Sequence, residues 1–270
     1  MSSIIRDGTF IEYRVRGKGD ITLLFVHGSY LDQECWESQV EHFEADYRVA
    51  TLDLPGHGLS GKGRKHWSVG GFAVDVSAVM RKLDSDSIIL IGHSMGADIN
   101  LIAAVNHPES VMGFIAVENF KNAATPLPPE NQGQVKSILD DLQTDFSGTN
   151  EKYARMGLLT PETPAPIVDY IVSTYRNAYR PMGLPIAPEI FEMWRTEKEL
   201  LPLLDHKLNL INVDYFPTNE EPLQHYARNG YALIRMEGTC HFPMLENPRA
   251  LNAALDQAIA NIRKEASVAV

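Results

Sequence analysis

The chain has 270 residues, enough to bury one large α/β core or such a core with an inserted subdomain. A hydrophobic content of 44% is that of a globular protein, and a formal net charge of −11 argues against nucleic acid or an anionic membrane surface as partner. Cys35 and Cys240 supply no disulfide framework and fit a reducing cytoplasm, with Cys240 read as a small buried side chain. The first residues, Met1 to Gly8, lack a basic start followed by an apolar stretch, so no signal peptide is expected. No apolar run is long enough to span a bilayer, and a cytoplasmic location is expected.

In chain order, residues 3–6 and 9–16 read as strands joined by the hairpin turn Asp7-Gly8. Residues 21–26 form a buried-looking strand. Residues 34–43 have helical spacing, with Trp36, Val40 and Phe43 on one side. Residues 48–52 form the next strand. Residues 70–83 form a helix with the apolar stripe Phe72, Val76, Val79, Met80 and Leu83. After the strand that begins at Ile88 come a helix-like stretch, 97–105, and a strand at 113–117. Strand and helix alternating in this way predict a mostly parallel sheet covered on both faces. From 121 to 204 the alternation stops and proline is dense, with helical pieces at 134–142, 167–179 and 189–200. The expected organisation is therefore a core of residues 1–120 and 205–270 carrying a helical cap of residues 121–204. The pattern resumes with a strand at 208–213, a short helix at 220–228, a strand at 231–236 and a final helix at 248–264.

The richest segment is Ile88-Ile89-Leu90-Ile91-Gly92-His93-Ser94-Met95-Gly96-Ala97. A β-branched run meets Gly-x-Ser-x-Gly and a helix follows. A strand that turns abruptly into a helix holds its turn residue in a tight conformation, and flanking glycines let neighbouring backbone approach. Ser94 should thus project from the carboxyl edge of the sheet, a nucleophile elbow. A second motif, Gly238-Thr239-Cys240-His241-Phe242-Pro243, puts a histidine in the loop after the last strand, within reach of that edge.

With His27-Gly28 and Asp53-Leu54-Pro55-Gly56-His57-Gly58-Leu59-Ser60, these segments resemble the α/β-hydrolase family over nearly the whole chain. Lys65-His66-Trp67, Val117-Glu118-Asn119-Phe120 and Asp214-Tyr215-Phe216-Pro217-Thr218 are similar to a set of small bacterial members. The resemblance implies an eight-stranded, mostly parallel sheet. It makes Ser94 the nucleophile and His241 the general base, with the backbone N–H groups of Ser29 and Met95 as the oxyanion hole. His27, His57 and His93 are read as loop-bracing residues.

The triad acid departs from the common pattern. Most members carry it after the strand at 208–213, in a Gly-x-x-Asp turn, but here the residue before the proline is Phe216. Asp214 lies about two residues early. Glu118 ends the preceding strand, where similar proteins such as many haloalkane dehalogenases carry their acid. Its extra methylene suits the longer reach, so Glu118 is favoured and Asp214 remains the alternative.

A serine at position 94 excludes the aspartate-based dehalogenase and epoxide-hydrolase mechanisms. No cofactor or metal motif is present, so none is expected. Cap side chains such as Tyr175, Met182, Phe191 and Trp194 offer material for an apolar acyl pocket, to which Tyr30 and Phe242 are added. The expectation is a serine hydrolase of small carboxylic esters, lactones or thioesters, with a small molecule as its partner. A carbon–carbon bond hydrolase, a cofactor-free perhydrolase and a small-molecule receptor on a hydrolase scaffold remain open.

Overall fold

A computed structural model describes residues 2–268 of the chain. β1 (Ser2–Arg6) and β2 (Thr9–Arg16) form an antiparallel hairpin. Its turn residues, Asp7 and Gly8, both have positive φ, 49° and 69°, as a two-residue turn matched to strand twist requires. β3 (Thr22–Val26), β4 (Arg48–Leu52), β5 (Ile88–His93), β6 (Val111–Val117), β7 (Leu208–Val213) and β8 (Tyr231–Met236) complete the sheet, in the order β1-β2-β4-β3-β5-β6-β7-β8. From β4 to β8 every pairing is parallel. Each residue of β3, β5 and β7 is buried, because helices cover both faces of a parallel sheet. Parallel strands also bring the loops after β3, β5, β6, β7 and β8 to one edge, the edge where α/β sheets bind ligands.

The helix expected at 34–43 is divided. Asp32 accepts from the Glu34 N–H and starts a 3₁₀ turn, Gln33–Trp36, before α1 (Glu37–Phe43). α2 (Val69–Leu83) begins at Ser68, whose hydroxyl accepts from the Gly71 N–H at 3.0 Å. All five residues of its predicted stripe are buried. α3 (Met95–Asn106) follows the elbow strand and packs against α2.

Between β6 and β7 the chain is helical: α4 (Pro129–Thr144), α5 (Phe146–Tyr153), a π-helical turn (Ala154–Leu158), α6 (Ala165–Arg176), α7 (Arg180–Phe191) and α8 (Trp194–Leu200). Two sequence expectations are corrected here. Residues 189–200 are not one helix, since the chain breaks at Glu192 and Met193. Conversely, Pro185 and Pro188 lie inside α7 rather than outside it. Each removes a helical hydrogen bond, but α7 is packed against α2 and α4, and tertiary packing overrides propensity. α9 (Glu220–Tyr226), α10 (Pro243–Glu246) and α11 (Pro248–Val268) close the chain, with α11 against α1, β6 and β7.

Candidate active site

Ser94 sits between β5 and α3 with φ 50° and ψ −128°, backbone seldom adopted outside glycine and typical of functional turns. Gly96 makes the turn possible: a Cβ there would lie 2.4 Å from the Val26 carbonyl oxygen. The Ser94 N–H donates to Val117 O at 3.0 Å, and the Ser94 carbonyl accepts from the Ala97 N–H at 2.8 Å. The same carbonyl accepts from Asn119 Nδ2 at 2.7 Å, and that amide also reaches Asp98 Oδ2 at 2.7 Å.

His241 follows β8. Its backbone is held from two sides: its N–H donates to Leu158 O of the π-helical turn at 3.0 Å, and its carbonyl lies 2.8 Å from His93 Nε2. Its Nδ1 lies 3.1 Å from Glu118 Oε2 and 3.3 Å from the Tyr215 hydroxyl. Glu118 caps β6 with φ 55° and is buried. Its Oε1 accepts from the Val213 N–H at 2.5 Å and from Lys121 Nζ at 2.9 Å. Burial, and then the Glu118 charge, push the Tyr215 phenol upward, so it stays protonated. Asp214 instead accepts from the Gly238 N–H at 3.3 Å, away from the imidazole.

Ser29 Oγ touches Met95 Sδ at 3.6 Å, so the loop after β3 meets the start of α3 beside Ser94. Met95 is the first residue of α3, and its N–H therefore has no acceptor within the helix. His27 braces this loop, its Nε2 accepting from the Leu54 N–H at 3.0 Å. Burial lowers the His27 and His93 imidazoles and pushes His57 down to about 3, so all three are neutral.

A cavity of about 520 Å³ joins Ser29, Ser94, Glu118 and His241 to insertion residues that include Leu142, Tyr153, Leu158, Tyr175 and Phe191. Tyr30, Tyr175 and Phe191 line it, but three other expected pocket residues, Met182, Phe242 and Trp194, do not. Phe242 is fully buried behind the histidine, its ring 5.2 Å from that of His241 and 5.6 Å from that of His93. Trp194 starts α8 and stacks with Arg195, whose guanidinium is 4.3 Å from the ring centroid. Sequence reasoning passed over Lys121, Tyr215 and Asn119. Lys121 carried a readable signal, a cation three positions beyond a candidate acid at a strand end. Among the described residues no group of three or more His, Cys, Asp or Glu side chains forms a metal-binding cluster.

Comparison with known proteins agrees with this architecture. Residues 21–158 match the family model described as alpha/beta hydrolase fold. The chain is 34% identical over 247 residues to a "Probable esterase" of Oryza sativa subsp. japonica, covering 87% of this chain and 90% of that one. It is 30% identical over 108 residues to Karrikin insensitive 2 receptor CA of Petunia hybrida, covering 38% of this chain and 40% of the receptor. A thermophilic esterase from Thermogutta terrifontis superposes with a TM-score of 0.78 at 22% identity, covering 94% of each chain, a likeness of fold. With the elbow, the sheet order and a full-length relative all in agreement, the chain belongs to the α/β-hydrolase family.

Proposed function

We propose that the protein is a serine hydrolase of small carboxylic esters that works through an acyl-enzyme, with residues 121–204 serving as a cap over the site. The observation that carries the reading is convergence: Ser94, Glu118 and His241, from three strand ends, share one cavity, and Glu118 Oε2 lies 3.1 Å from His241 Nδ1. In this reading Ser94 Oγ attacks the ester carbonyl while His241 Nε2 takes its proton. Nδ1–H donates to Glu118, which fixes the tautomer and stabilises the imidazolium. The carbonyl oxygen becomes an oxyanion facing the N–H groups of Ser29 and Met95. As the tetrahedral intermediate collapses, His241 returns the proton to the departing alcohol. A water molecule then repeats the sequence and frees the acid.

The cavity volume lies within the usual range for small-molecule sites, and its insertion side is mostly apolar, which supports a substrate with a modest hydrocarbon part. Ser94→Ala should abolish turnover of short p-nitrophenyl esters and labelling by a fluorophosphonate probe, with the fold intact. Labelling retained at another serine would sink the assignment. A second reading, a small-molecule receptor on the same scaffold, is supported by the partial likeness to the petunia receptor. Ligand-dependent capture of a partner protein without steady turnover would favour it.

A further inference from the structure

Tyr30 lies two residues beyond Gly28 at φ 61°, a left-handed conformation that is uncommon for any bulky side chain. Its side chain is wedged between the core loop and the insertion. The His57 ring lies nearly parallel to it at 6.4 Å, Tyr175 stands edge-on at 5.1 Å, and Phe146 stands edge-on at 6.3 Å. Tyr30 and Asn150 of α5 both line the 520 Å³ cavity. Gly183 of α7 leaves room for this packing, because a Cβ there would lie 2.4 Å from the Phe146 ring and 3.1 Å from the Tyr30 hydroxyl.

A second hollow, of about 180 Å³, lies beside Tyr30, with His57, Thr174, Ala178, Tyr179 and Met182 in its wall. Tyr30 lines both this hollow and the 520 Å³ cavity, and among the described residues the two share no other lining residue. The flanking rings mark its two sides, since Tyr175 lines the cavity and His57 lines the hollow. His57 Nδ1 lies 3.2 Å from Pro55 O, while its buried Nε2 has no hydrogen-bond partner among the described residues. The hollow therefore has room for roughly six water molecules at ~30 Å³ each, and one aromatic ring separates it from the catalytic cavity.

We propose that Tyr30 is a specificity-determining wall, which limits the length of the substrate's apolar chain by closing the cavity off from the hollow behind it. The wall stands on the lining geometry, and only its effect on turnover rests on the hydrolase reading. Removing the ring joins the two spaces. A chain that stops at Tyr30 then continues between Met182 and Tyr179, and each methylene buried there is worth about fourfold in affinity.

The test measures binding of a homologous series of straight-chain carboxylic acids by calorimetry, with and without Tyr30→Gly, in a Ser94→Ala background. It is paired with turnover of the matching p-nitrophenyl esters by the Ser94-containing proteins. Glycine suits the positive φ. The expected result is a shift of the longest tolerated chain by several methylenes, with affinity for acids beyond the parent's limit raised at least about tenfold. Tyr30→Phe should keep the parent's limit. Adding Thr174→Phe to Tyr30→Gly should refill the hollow and restore it. If Tyr30→Gly does not fold, Tyr30→Leu reads the same limit with a smaller shift. A folded Tyr30→Gly or Tyr30→Leu with the parent's limit overturns the wall. Absence of ester turnover in the parent counts against the hydrolase reading alone, because acid binding is measured without the nucleophile.

Discussion

Lys121 Nζ lies 2.9 Å from Glu118 Oε1, so the carboxylate that faces His241 is shared with a cation. The same ammonium donates to Val213 O at 2.9 Å and lies 4.2 Å from the centroid of the Tyr215 ring. Burial lowers Lys121 from the usual lysine range, and Glu118 opposes that shift. The ammonium and the Val213 N–H together hold the Glu118 carboxylate in place.

The first prediction follows from that contact. Lys121→Met removes the cation and retains much of the stem. The Glu118 carboxylate then loses a charged partner and is held less firmly against His241, so kcat on a short ester should fall about 3- to 10-fold with KM little changed. Steady-state kinetics on that ester measure it. An unchanged kcat would show that Lys121 does not position Glu118.

The second prediction concerns the acid. Glu118→Gln should lower kcat by roughly three to four orders of magnitude, as loss of the orienting carboxylate does in other triads. Asp214→Asn should change kcat by less than about threefold, since that carboxylate meets the Gly238 N–H rather than His241. The reverse ranking would move the acid to the end of β7.

The strands and the elbow were legible because their signals are local. Short apolar runs such as Leu23 to Val26 and Ile88 to Ile91, bounded by turn residues, read as buried strands, and Gly92-His93-Ser94-Met95-Gly96 dictates its own turn. The insertion was only partly legible. The continuity of α7 through Pro185 and Pro188 comes from neighbours distant in sequence, which periodicity does not register. The same holds for the pocket. Trp194 and Phe242 have suitable side chains, but which way an aromatic faces depends on helix rotation. Here Phe242 is packed behind His241 and Trp194 stacks with Arg195. The His241–Leu158 and Lys121–Val213 contacts tie segments whose meeting no single-segment pattern contains.

The third prediction concerns a buried acid pair that joins the insertion to the core. Asp98 of α3 lies near Glu197 of α8, and both are raised, Asp98 well above the carboxylate range, with burial the leading cause for each. Glu197 Oε2 also accepts from the Ala124 N–H at 2.6 Å. The folded protein thus keeps a proton that the unfolded chain releases near an ordinary carboxylate pKa of about 4. The stability this gives is complete below that value and is lost as pH rises through the raised range. Asp98→Asn places an amide donor against Glu197 without needing the proton. Melting temperatures across about pH 5 to 8 should fall with pH in the parent and stay flatter in Asp98→Asn. Equal slopes would remove the shared proton from the account.

The last prediction concerns His93, which lies between three loops. It adjoins Ser94 in sequence, its Nε2 is 2.8 Å from the His241 carbonyl, and a Cβ on Gly28 would lie 2.6 Å from its Nδ1. Burial holds it well below the usual histidine range, so it is a neutral imidazole. Nε2–H donates to the carbonyl, and Nδ1 is left without a partner among the described residues. His93→Phe keeps a ring but leaves the His241 carbonyl unpaired, at a cost of about 1–3 kcal/mol in stability. With the histidine loop released, kcat should fall about 10- to 100-fold while KM changes little, because small misplacements of a catalytic group act on the chemical step. His93→Gln, whose amide can donate to the same carbonyl, should recover most of the rate. If Phe and Gln lose stability and rate alike, His93 is a packing residue and its hydrogen bond does not position His241.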